Sequence, residues 1–318
     1  MSVSTTDTQP SDVQEPASPE AARVAAAWIS SVGADPERLA SPPPKPTPEE
    51  WRALPIDELR PHLDEMLISK NPEPGLDACA ECGVLDVWMP EVAAMIGFGD
   101  GEWRHKDVWK HTKQVVKQAV PRLEVRWGAL LHDIGKPRTR KIDEKGRVTF
   151  HGHAELGARM YRRKMETRLE FEKQLSERIH FLILHHLRPS QYAQDWTDAA
   201  VRRFYKQMGE GLKDLLDLSR ADITTKRPEK RKRGVHNIHA LGQRIDAIRN
   251  DDEKPKVLPK GLGQHIIARF EIPPSKRLGN LIKQLQVDVD EGLVDAGLEF
   301  EEYLTYLETN RERFELDA

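Results

Sequence analysis

From Thr47 onward, apolar residues recur at three-and-four spacing in one segment after another, and this periodicity limits the fold more than any other feature of the chain. "IDELRPHLDEMLIS", "GLDACAECGVLDVWMPEVAAMI", "VWKHTKQVVKQAV", "LEVRWGALLHDIG", "LSERIHFLILHHL", "DAAVRRFYKQM" and "LKDLLDLSRADI" all carry it. A helical period lays such positions along one face, so each segment predicts a helix that buries that face against a neighbour. Thr47-Pro48-Glu49-Glu50 predicts where the series starts, with an N-cap, a proline at the first helical position and an acidic first turn. One segment departs from the pattern. "TRKIDEKGRVTFHGH", 139–153, sets Asp-Glu-Lys-Gly between two β-prone runs and predicts a hairpin. The expected fold is an all-α helical bundle with a small inserted β-hairpin, flanked by helical segments.

Before Thr47 the composition changes. Residues 1–20 are rich in Ser, Thr, Pro and acid and read as a disordered tail. Residues 21–32 can form a short helix, and "SPPPKPTPEE", 41–50, is a proline-rich spacer. The expected division is tail and linker over 1–46, a helical segment over 47–104, a central domain over 105–235 and a helical C-terminal arm over 236–318. Nothing before about position 47 is expected in the core. Among 318 residues 32% are charged but the net charge is −3, so the overall balance indicates neither an acidic nor a basic partner. No apolar run reaches 18 residues, and no membrane partner is expected. The N-terminus lacks the basic and apolar regions of a signal peptide. Cys79 and Cys82 are the only cysteines, which argues for a reducing compartment, the cytoplasm. Three apart on an apolar helix with no second pair, they read as core residues rather than zinc ligands.

Chemistry enters with "ALLHDIGKPRTR", 129–140, where an apolar helical run ends in His132 and Asp133. Burying an imidazole beside a carboxylate is costly unless a metal, or a cap with a salt bridge, compensates. A single histidine on an apolar face is most often a satisfied core residue. Here His111, His132 with Asp133, His153, His185 with His186, and Asp222 fall at the ends of separate helical segments. Separate helices packed around one axis can aim such groups at a common centre. Imidazole and carboxylate donors together suit Mn, Fe, Co, Ni or Zn.

The series His111, His132-Asp133, Asp222 resembles the H…HD…D signature of HD-domain metal-dependent phosphohydrolases. His153 and the histidine of "HHLRP" resemble the extra pair of the two-metal members. More narrowly, "DVWKHT", "ALLHDIGKPRT", "VTFHGHAELGA", "HHLRP" and "SRADIT", with the flanks over about residues 55–308, resemble the neck/body, HD domain and arm of bacterial tRNA nucleotidyltransferases (CCA-adding enzymes). The resemblance implies that His111, His132, Asp133 and Asp222 hold one divalent ion, and that Asp133 bridges to a second held by His153 and His186. One or two ions are expected, with Mn, Ni, Co, Fe, Mg and Zn not distinguished. His186 is preferred to His185 because it directly precedes Leu-Arg-Pro, and His153 to His151 within "FHGH".

Lys136, Arg138 and Arg188 each follow a ligand by a few residues, so with Asp133 they form the expected catalytic set, neutralising phosphate charge. Arg138 and Arg188 have the alternative of pairing with acids of the hairpin. The implied activity is hydrolysis of phosphoesters of nucleotides or RNA ends, of the 2′,3′-cyclic phosphodiesterase, 2′-nucleotidase or phosphatase type. The competing expectation is a non-catalytic RNA-binding or partner-binding relative with a structural metal. The first hundred residues hold no Gly-Ser turn with paired aspartates, so CCA addition by this chain alone is not expected. Asp288 and Asp290 in "VDVDEG" lie in the helical arm without that context. The acidic diad of ppGpp hydrolases and the GYP motif of cyclic-di-GMP enzymes are missing as well. The run "KRPEKRKR", 226–233, carries six positive charges against one negative and could hold a polyanion, tRNA among them, at the mouth of the site. Oligomeric state is not legible.

Overall fold

The structure is a computed structural model that describes residues 17–98, 107–144, 146, 148–253 and 258–316. Most of the expected tail, the segment 99–106 and positions 145 and 147 of the hairpin lie outside the described residues. The helices are α1 (Glu20–Ala34), α2 (Pro48–Ala53), α3 (Ile56–Ile68), α4 (Pro72–Glu81), α5 (Val84–Trp88), α6 (Pro90–Ala93), α7 (Val108–Gln118), α8 (Leu123–Leu131) and α9 (Lys136–Thr139). After the hairpin β1 (Lys141–Ile142) and β2 (Val148–Thr149) come α10 (His153–Met160), α11 (Glu166–Leu169), α12 (Lys173–His185), α13 (Asp198–Met208) and α14 (Leu212–Ala221). The chain continues with α15 (Pro228–Glu253), α16 (Leu262–Phe270), α17 (Lys276–Asp290) and α18 (Phe300–Thr309). The fold is all-α with one antiparallel hairpin, in which Lys141 pairs with Thr149 and Ile142 with Val148. The chain divides into two compact units, 1–245 and 246–318.

In the first unit α8 is the central helix. Val125, Trp127, Ala129, Leu130 and Leu131 are buried, and α3, α7, α12 and α14 pack around them. Gly128 lets α12 come close, since a Cβ there would stand 3.1 Å from Leu182 Cβ. The buried Arg126 guanidinium donates to Ala119 O (2.8 Å) and Leu67 O (2.7 Å), tying α8 to the end of α3. Trp127 Nε1 donates to Asp64 Oδ1 at 2.7 Å. At the start of α2 the capping box is present, with Thr47 and Glu50 satisfying each other's backbone N–H.

The observed packing departs from the expected division in three places. The segment before position 47 contributes to the core, because α1 packs on α3 and α4 with Ala22, Ala25, Ala26, Ile29 and Val32 buried. Its alanines give a weak hydrophobic signal but a flat face that allows close helix contact. The boundary at 235/236 falls inside α15, a single helix of 26 residues. Likewise, contacts from α3 and α4 to α7 and α8 join the segments 47–104 and 105–235 in one unit.

The second unit holds α16, α17 and α18 around Ile266, Leu285, Tyr303 and Leu307. Asp288, fully buried, accepts from Arg313 (2.7 Å), Gln284 (3.0 Å) and Tyr306 (3.0 Å). Its role in "VDVDEG" is internal bonding.

Candidate metal centre

Helix ends bring the ligand candidates together. His111 lies in the first turn of α7, whose N-cap Asp107 accepts from Lys110 N at 3.1 Å. His132 and Asp133 directly follow α8, His186 follows α12, and Asp222 follows α14. His153 opens α10 after Gly152, whose φ of 75° lies in the left-handed region that suits glycine. The last carbonyls of a helix have no backbone N–H partner, so a histidine just beyond the end can donate back to one. His132 Nδ1 does this to Ala129 O at 2.7 Å and His186 Nδ1 to Ile183 O at 2.8 Å. His153 Nδ1 donates to Phe150 O at 2.8 Å in the preceding turn. A carbonyl only accepts, so in each neutral ring the proton sits on Nδ1 and Nε2 presents a bare lone pair. His111 Nδ1 pairs with Thr224 Oγ1 at 2.9 Å.

These Nε2 atoms converge in two adjoining trios, His111, His132 and Asp222 in one and Asp133, His153 and His186 in the other, each with donor atoms within 4.8 Å of one another. In the first, His111 Nε2 stands 3.0 Å from Asp222 Oδ1 and 3.4 Å from His132 Nε2. In the second, His153 Nε2 and His186 Nε2 are 3.1 Å apart. Asp133 spans both. Its Oδ2 is 3.1 Å from His132 Nε2 and 3.4 Å from His111 Nε2, while its Oδ1 is 3.4 Å from His153 Nε2 and 3.9 Å from His186 Nε2. Among the described residues, Asp133 Oδ1 is the one buried side-chain N or O atom with no hydrogen-bond partner.

The electrostatics point the same way. Burial, with the His132 ring nearby, pushes the His186 imidazole down to about 4, so it is neutral near pH 7. Burial alone would raise the Asp133 carboxyl, but His132, His111 and His153 outweigh it and hold the group well below the usual carboxylate range. For His111, burial is outweighed by Asp133 and Asp222, which lift it to about 9. Near pH 7 His111 carries a proton between Asp133 and Asp222, which a divalent ion bound there would displace. Paired lone pairs at 3.1 Å and an unpartnered carboxylate oxygen repel one another until a divalent ion is shared between them. The donor set therefore fits a metal. The side chains of His132, Asp133 and His186 are 1% exposed and that of Asp222 is 28% exposed, so the centre opens on the Asp222 side.

The remaining sequence candidates fall in different places. Lys136 reaches the centre, its Nζ donating to Asp133 Oδ2 at 2.6 Å. Arg138 does not, since it lines a separate cavity of about 260 Å³ with Ile134, Lys164 and Arg168. Arg188 donates to Gln207 Oε1 at 3.0 Å. Neither contact brings these two arginines to the trios. A few residues along the chain do not fix where a long side chain points. His185 packs its ring on Phe181, and His151 is exposed. Cys79 and Cys82 are buried free thiols, which burial pushes up, Cys82 to about 11.

Sequence reasoning missed Thr224, two residues beyond Asp222, and nothing in its type marks it as the partner of His111. It also missed why Gly135 follows the His-Asp pair. A Cβ there would stand 2.1 Å from His153 O, so glycine lets the start of α10 press against the loop after Asp133. The basic run lies in the approach to α15 and its first turns. Lys226, Arg231 and Lys232 line a groove of about 820 Å³ with Thr224, His236 and His239. A smaller cavity of about 280 Å³ takes in His186 and Asp222, one from each trio, under the wall of α15. No helix among the described residues is long and apolar enough to cross a membrane.

Residues 108–226 match the HD domain family. The CC-adding tRNA nucleotidyltransferase of Thermus thermophilus is 30% identical over 267 residues, 82% of this chain and 59% of the relative. The A-adding tRNA nucleotidyltransferase of Deinococcus radiodurans is 32% identical over 237 residues, 72% of this chain and 53% of the relative. The multifunctional CCA protein of Pseudomonas fluorescens is 33% identical over 112 residues, 34% of this chain and 27% of the relative. The chain thus spans little more than half the length of the first two.

Proposed function

We propose, from the premise that this chain is an HD-domain protein resembling the C-terminal part of bacterial CCA-adding tRNA nucleotidyltransferases, that it is a metal-dependent phosphohydrolase. Its substrates are phosphoesters of nucleotides or RNA ends, of the 2′,3′-cyclic phosphodiester, 2′-nucleotide or phosphomonoester kind. The observation that carries the reading is Asp133, with one oxygen toward each trio and Oδ1 unpartnered among the described residues. His111, His132 and Asp222 would hold one divalent ion, His153 and His186 a second, with Asp133 shared. Bound divalent ions supply a water of pKa near about 7 and take up charge on phosphoryl oxygens. The chain's own part is to hold four Nε2 atoms in place through their Nδ1 partners, which fixes ring orientation. Lys136 donates to Asp133 Oδ2 and limits the carboxylate's swing. A cytoplasmic setting, expected from two unpaired cysteines, goes with this reading.

The test is metal analysis of the purified chain joined to a phosphoester panel under Mn, Ni, Co, Mg and Zn. Turnover that follows metal content supports the reading, and a metal-loaded chain inert on every phosphoester refutes it. A second reading, an RNA-binding relative with a structural metal, is favoured by the basic groove beside Thr224 and by the tRNA enzymes among the relatives. Tight tRNA binding without hydrolysis would select it.

A further inference from the structure

The cavity under α15 differs from the rest of the approach to the metal centre. Among the described residues no Lys or Arg lines it, although the run of six basic residues approaches and begins the same helix. Two of the ligand candidates, His186 and Asp222, form one side. Pro189, Ile223 and Ile238 supply apolar surface, and Ser190, Ser219 and Asn237 supply polar atoms. Both serine protons are committed, Ser190 Oγ donating to Leu187 O at 2.7 Å and Ser219 Oγ to Leu215 O at 2.8 Å. These hydroxyls therefore offer only lone pairs. Asn237 is half-buried, and its side-chain amide makes no hydrogen bond among the described residues. It is the cavity group with both a donor and an acceptor free. Gly234, one turn earlier, holds this face of α15 close, since a Cβ there would stand 3.2 Å from Ile223 Cδ1.

A cavity without cations is unsuited to phosphate but suited to the neutral part of a phosphoester. We infer that the cavity walled by α15 is a sugar subsite, in which Asn237 hydrogen-bonds the free ribose hydroxyl next to the phosphate of a 2′- or 3′-phosphomonoester held at the metal centre. This deepens the phosphohydrolase reading and rests on it for the position of the phosphate. The specificity that follows is for ribonucleotides over deoxyribonucleotides and over esters without a sugar. A site built to pair a hydroxyl discriminates against ligands that lack it, because its polar group is then left unpaired.

The test is calorimetric titration of the full Mn-loaded chain with 3′-AMP, 2′-deoxy-3′-AMP and inorganic phosphate, for wild type, Asn237→Ala and Asn237→Leu. Wild type is expected to prefer 3′-AMP to its 2′-deoxy form by about tenfold, the worth of one hydrogen bond. Both variants should lose that preference and still bind inorganic phosphate as wild type does. The inference is overturned if the variants keep the preference, if phosphate affinity falls in parallel, or if wild type shows no preference. Turnover is read separately. A chain that hydrolyses nothing but shows the preference would refute the phosphohydrolase reading and leave the subsite standing.

Discussion

Asp133 has the most demanding environment in the chain, a 1% exposed carboxylate set among His111, His132, His153 and Lys136. Asp133→Ala should abolish turnover of bis-p-nitrophenyl phosphate and release metal from both trios, with helical circular dichroism little changed. Unaltered metal content and turnover would remove it from the centre. His186→Ala should lower metal stoichiometry, whereas His185→Ala should leave it intact, because His185 packs on Phe181. Metal analysis of the two variants side by side separates them. Thr224→Val should weaken metal binding by about 10–100-fold through the freed His111 ring, as loss of an outer partner does. At this scale the ligand candidates were legible because imidazoles and carboxylates at helix ends are costly unless used. Where Arg138 and Arg188 point was not legible, because chain spacing does not report side-chain direction. Thr224 was silent because a threonine after a helix is ordinary.

Elements position these residues, and the closest fit is between the loop after α8 and the start of α10. Gly135→Ala should cost about 1–3 kcal/mol by overpacking against His153 O and should displace His153 from its trio. Gly242→Ala, where the nearest atom outside α15 is Leu216 Cδ1 at an ordinary 3.8 Å, is the control that should do neither. Chemical denaturation with metal titration reads both effects. The charges at the start of α15 belong to this scale too. Neutralising Lys230, Arg231, Lys232 and Arg233 should weaken RNA binding and flatten its dependence on salt, since fewer counterions are released. Equal binding by wild type and variant at every salt concentration would make the run a solvated face. The helices and hairpin were legible from period and turn residues. The extent of α15 was not, because its charged first turns masked its continuity with the apolar positions that follow.

The first unit depends on a helix whose sequence gives a weak signal. α1 reads as a marginal alanine-rich segment, yet Ile29 and Val32 are fully buried within the unit. Ile29→Ala should cost about 2–5 kcal/mol, measured by denaturant unfolding of the full chain. A cost near zero would return α1 to the periphery. The fold class was legible from helical period alone, whereas the participation of α1 was not, because small residues contribute through close approach rather than hydropathy. All of this packing bears on one question, whether two trios on five helix ends work as a shared metal centre around Asp133. The most direct measurement is anomalous diffraction from crystals of the full chain grown with Mn. The account predicts two peaks, one between His111, His132 and Asp222 and one between His153 and His186, with Asp133 touching both. A single peak, none, or Mn bound away from Asp133 would contradict it.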